Sequence, residues 1–83
     1  MAGDIVEVWA SGTTLLSFDG RVLEVFGVSE VQRFHIGLRP VVTVGKKLVT
    51  IYPKAGGQFA FFYDKERAQA ITDFADHVHA AHV

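Results

Sequence analysis

The chain contains no cysteine, so neither a disulfide nor a thiolate metal site can hold it together. It lacks a charge excess of either sign: 8 basic and 9 acidic residues leave a formal net charge of −1. A general nucleic-acid binder needs a basic footprint, and this balance argues against one. The same balance gives no support to a purely electrostatic attachment to membranes. No apolar run approaches the roughly 20 residues that cross a bilayer as a helix. The N-terminal stretch carries Asp4 and Glu7 and no basic segment, so it does not read as a signal peptide, and a cytoplasmic location is the default expectation.

Motifs for chemistry are also missing. Gly56-Gly57 beside Lys54 is not a phosphate loop, because the glycine spacing, the Lys-Ser/Thr ending and the following helix are absent. The serines, Ser11, Ser17 and Ser29, sit in no Gly-x-Ser-x-Gly elbow, and spacing assembles no Ser/His/Asp set. The expectation is a non-enzymatic protein with no cofactor and no metal.

What the chain does have is apolar surface. Its 83 residues are 49% apolar, with a mean hydropathy of +0.25. That length suits one domain, residues 1–83, which buries only about 60% of the surface its unfolded chain exposes. Some apolar side chains must therefore stay outside, which favours a protein partner or a dimer.

Seven short stretches read as strands. Ile5–Trp9 is β-branched and aromatic, and Thr14–Phe18 follows the loop Ala10–Thr13. Asp19-Gly20, between alternating apolar stretches, predicts a type I′ hairpin turn into Arg21–Phe26. Val31–Ile36 alternates again, with Phe34 and Ile36 opposed to Arg33 and His35. A bend at Gly37 and Arg39-Pro40 leads to Val41–Val44, and a turn at Gly45-Lys46 leads to Lys47–Tyr52. After the loop Pro53–Gly57 comes the last strand, Gln58–Tyr63. The remainder, from Asp64 to about His82, has no Gly or Pro and predicts a helix. Asp64 is the expected N-cap and Glu66 suits the positive end of the helix dipole. Ile71, Phe74, Ala75 and Val78 form one apolar stripe. The expected fold class is mainly β: a bent seven-stranded antiparallel barrel or sheet, capped by one C-terminal helix.

That order resembles the pleckstrin-homology-like domains. Leu16–Val25 is similar to the hairpin of small bacterial, actinobacterial-type members of unknown function. Val31–Ile36 is similar to their next strand, and Phe59–Phe62 running into a helix to their last strand and cap. The resemblance implies a partly open barrel used for binding, and it brings no shared catalytic or ligand motif. Phosphoinositide-binding members use clustered basic residues in the first hairpin loop. Here that loop, Ala10–Thr13, has none, so no phosphoinositide site carries over.

Three groups of residues are candidates for function. Alternation leaves Trp9, Val22, Phe26 and Phe62 on outer faces, a possible interface with a protein partner or with a second copy. Lys46 and Lys47, with Arg39 and Lys54, form a possible patch for an anionic ligand, including weak peripheral contact with a lipid headgroup. His77, His79 and His82 lie close in sequence, but helical spacing turns His77 away from the other two. No established ligand spacing is completed. His77 and His79 are expected to be solvated, and His82 to edge the apolar face. The expected function is a protein-protein or self-association module acting through the outer sheet face, with anionic lipid or headgroup binding at the Lys46/Lys47 turn as the alternative.

Overall fold

A computed structural model describes residues 5–54 and 56–82. The strands are β1 (Val6–Ser11), β2 (Thr14–Phe18), β3 (Val22–Phe26), β4 (Val31–His35), β5 (Val41–Val44), β6 (Leu48–Tyr52) and β7 (Phe59–Phe62), followed by helix α1 (Ala68–Ala80). Short 3-10 turns at Ile36–Leu38 and Lys65–Arg67 join β4 to β5 and β7 to α1. The strands do not form one bent sheet. They divide into two antiparallel sheets, β1-β2-β3-β4 and β5-β6-β7, and no ladder between them closes a barrel. The break falls where the backbone cannot continue a ladder. Arg39 takes a left-handed conformation (φ 49°) at the end of the first 3-10 turn, and Pro40 has no N–H to give.

The registers determine what each face carries. In the four-stranded sheet, Val6–Phe18–Leu23–Phe34 and Val8–Leu16–Val25–Gln32 are cross-strand rows on the inner face. In the three-stranded sheet the inner rows are Val42–Ile51–Phe59 and Val44–Val49–Phe61. The two inner faces meet in one core that includes Leu16, Phe18, Leu23, Val49 and Ile51, each at most 1% exposed. α1 packs against β1 and β5, the first strand of each sheet, and adds Ile71, Phe74, Ala75 and Val78 to the core. Burying Ile71, Phe74 and Val78 is worth about 1.5–3 kcal/mol each before the cost of ordering them.

The helix begins later than its composition predicts. Asp64 precedes the 3-10 turn rather than α1, and its side chain makes no cap bond. Instead its backbone N–H donates to the Ala10 carbonyl (2.8 Å), and its Oδ2 accepts from Arg67 Nε (3.2 Å). Asp64 therefore ties the β7–α1 junction to β1. Lys47, expected at the start of a strand, lies in the β5–β6 turn, closed by the Gly45 N–H donating to the Leu48 carbonyl.

The β2–β3 hairpin turn is also shifted. Phe18 pairs with Leu23, which makes Gly20 and Arg21 the central residues. Only Gly20 has positive φ (93°), the sign pattern of a type II′ turn rather than the expected type I′. Asp19 is outside the centre because its carboxylate has another use. Oδ1 accepts from the N–H groups of Arg21 and Val22, both at 2.8 Å. The Val22 bond first, then the Arg21 bond, hold its carboxyl below the usual range. At Gly20 a Cβ would meet no neighbour, so substitution there costs only backbone strain. Gly20→Ala is expected to destabilise by about 1–2 kcal/mol. A urea midpoint equal to wild type would contradict a positive-φ requirement at this position.

Candidate interaction surface

Both outer faces carry exposed apolar residues, and the two sheets do so differently. On the three-stranded sheet, the outward positions are Val41 opposite Tyr52, the row Thr43–Thr50–Ala60, and Leu48 opposite Phe62. None is charged. Phe62 is 73% exposed, and Val41, Leu48 and Tyr52 are exposed with it. β-Branched and aromatic residues on both sides of these strands favour the pleat, and the core needs only one side. The other side is left to solvent.

Charge frames this face. Lys46 and Lys47 occupy the β5–β6 turn at one end. At the other end the Lys54 N–H donates to the Leu38 carbonyl (2.7 Å), which brings Lys54 near Arg39. The four expected cationic residues thus form two pairs, separated by the length of β6, about 17 Å at strand rise. No Asp or Glu occurs anywhere from Val31 to Tyr63; all 9 lie before or after that stretch. Lys65 extends the basic end. With Lys46, Lys47, Phe62, Tyr63 and Ala68 it lines an open groove of about 730 Å³. The Tyr63 hydroxyl donates to the Gly45 carbonyl and braces the turn.

The four-stranded sheet has one apolar outer row, Trp9–Leu15–Phe26–Val31, beside the polar row Glu7–Ser17–Glu24–Arg33. Trp9 and Val31 are 49% and 42% exposed, and Leu15 and Phe26 are half-buried. Arg33 Nε donates to Glu24 Oε2 at 2.7 Å, which neutralises both. Val22 lies beyond the polar row, opposite His35 and half-buried. Of the four expected interface residues, Trp9 and Phe26 therefore share a row, Val22 is separated from them by Glu24, and Phe62 lies on the other sheet.

The histidines sit differently from the expectation that His77 and His79 are both solvated. His77 is exposed, with its ring edge-on to Phe18 (centroids 5.9 Å). His79 Nε2 accepts from the Val42 N–H at 2.9 Å, and His82 Nε2 lies 2.7 Å from the Pro40 carbonyl. Their rings meet edge to face at 5.4 Å. Burial first, then the neighbouring His82, hold His79 below its ordinary pKa near 6.5, with Asp76 opposing. The pair latches the end of α1 to the outer edge of β5. No group of three or more His, Cys, Asp or Glu side chains among the described residues could hold a metal ion.

Sequence reasoning missed Val41, Leu48, Tyr52 and Lys65. The signal was available: counting charges by segment rather than over the whole chain exposes the carboxylate-free stretch. No helix among the described residues is long and apolar enough to cross a membrane. No family model, curated protein or solved structure matches this chain.

Proposed function

We propose that the chain is a non-catalytic binding module of pleckstrin-homology-like architecture, and that it docks a protein surface on the outer face of β5-β6-β7. The observation that carries this reading is the uncharged face from Val41 to Phe62, framed at both ends by basic residues with no carboxylate among them. A surface with an apolar centre and a polar rim is the usual anatomy of a protein interface. The chemistry of the rim selects a partner whose own apolar patch is bordered by Asp and Glu.

Selection of a random peptide library on the immobilised protein tests it. The expected result is enrichment of peptides mixing apolar and acidic side chains. Leu48→Ser/Phe62→Ser should weaken their binding at least tenfold, with the thermal transition retained because both positions are exposed. Failure to enrich, or peptides indifferent to the double substitution, would overturn the reading. Flotation with vesicles of phosphatidylserine and phosphatidylcholine forms the second arm. Binding there, lost on Lys46→Glu/Lys47→Glu while no peptide binds, would replace the protein partner with an anionic lipid surface.

A further inference from the structure

We propose that a partner for the three-stranded face is the four-stranded face of a second copy of this chain, in a head-to-tail contact. The proposal rests on reading β5-β6-β7 as the docking surface and names its occupant. Three observations favour it.

The first is charge. The three-stranded face is framed by Arg39, Lys46, Lys47 and Lys54. The four-stranded face carries Glu7 beside its apolar row, with Glu24 already neutralised by Arg33, and Glu30 at the end of that row next to Val31. One face is cationic and the other carries Glu7 and Glu30 without an ion-pair partner among the described residues, while Arg67 beside Trp9 is paired with Asp64. Opposite faces therefore attract and orient each other.

The second is the disfavoured alternative. A two-fold dimer would put the three-stranded face against itself. Basic pairs stand at both ends of that face, so either alignment of the strands brings lysines onto lysines. Like charges in contact across an interface penalise that arrangement.

The third is shape. The row Trp9–Leu15–Phe26–Val31 crosses four strands, about 14 Å. Leu48–Phe62 and Val41–Tyr52 give the other sheet two apolar pairs with small Thr43, Thr50 and Ala60 between them. Trp9 and Val31 project at the ends of that row, and the small residues in the middle of the other face leave room for such a side chain. The two outer faces point away from the shared core, so such a contact does not close in a dimer. It leaves one free face of each kind and continues to grow.

The chain's one Trp lies on the four-stranded face, which provides the readout. In wild type, mean mass should rise with concentration without a plateau at two chains, and added salt should reverse the rise. Leu48→Ser/Phe62→Ser retains Trp9 and loses the three-stranded face. Trp9→Ser/Val31→Lys has no Trp and loses the four-stranded face. Each should be monomeric alone. Mixed, they should form a 1:1 dimer by light scattering, with a blue shift of Trp9 emission that saturates at equimolar ratio. Thermal melts check that both fold; if either does not, Lys46→Glu/Lys47→Glu replaces the first and Val31→Lys alone the second. A wild-type chain that stays monomeric at high micromolar concentration would overturn the proposal, and so would a mixture that does not associate. If acidic-apolar peptides still bind in that case, the docking face stands and only its occupant is wrong.

Discussion

Phe74→Ala is expected to lower the unfolding free energy by about 3–5 kcal/mol. Phe74 is 2% exposed and lies in the middle of the stripe that α1 presents to β1 and β5. Truncating it removes the transfer energy of the ring and leaves a void that the sheets on either side cannot collapse to fill. The total stability of a domain is about 5–15 kcal/mol, and a chain this short sits near the lower end. The variant is therefore expected to lose at least a large part of its stability, with a midpoint at least about 12 °C lower. The consequence is larger than a missing contact. With α1 loosened, the two sheets are held together only by the β4–β5 connection and what remains of their inner faces. Thermal and urea denaturation followed by circular dichroism measure this. An unchanged midpoint would mean that α1 is not what couples the sheets.

The second large effect belongs to His79. Val42 is on β5, the outer strand of its sheet, and its N–H finds its acceptor on the His79 ring rather than on a neighbouring strand. His79→Ala leaves that half-buried N–H without a partner, at a cost of about 1–3 kcal/mol. It also uncovers the edge of β5, a place where another strand can add. The bond requires a neutral ring, because a protonated imidazole has no acceptor nitrogen. His79 is held below its ordinary pKa, so the unfolded chain takes up its proton more readily than the folded one. Stability is therefore full above about pH 6.5 and declines as the pH falls from there toward the folded pKa of His79. His82 and Asp76 face the same ring with opposite influence, the histidine lowering its pKa and the carboxylate raising it. His79→Gln retains an acceptor without a titrating group. It should keep part of the stability and flatten the profile between about pH 7.5 and pH 5. If His79→Ala retained the wild-type slope over that range, the latch would not be the source of the acid sensitivity.

Much of the architecture is legible in the residues. Alternation in Val31–Ile36, with Phe34 and Ile36 opposed to Arg33 and His35, locates a strand because a half-buried pleat needs every second side chain apolar. The stripe Ile71, Phe74, Ala75, Val78 identifies the helix and the face it buries. The less legible parts are those where two local preferences compete. Asp19-Gly20 carries the sequence of a type I′ turn, yet the Asp19 carboxylate captures two backbone N–H groups and moves the turn one residue along. Asp64 has the chemistry of an N-cap, yet its backbone bond to Ala10 makes it a junction and delays the helix.

Side chains a few residues apart were enough to settle the order of elements and their core-facing sides. Which of these stand together depended on the folded chain. The αL conformation at Arg39 followed by Pro40 splits the strands into two sheets, and that split places Phe62 on a different face from Trp9 and Phe26. Folding also turns His79 from a solvated residue into the acceptor for a strand edge, through a contact with Val42 far away in the chain. Local periodicity decides which way a side chain points from its own strand or helix; what it then meets depends on how distant segments pack.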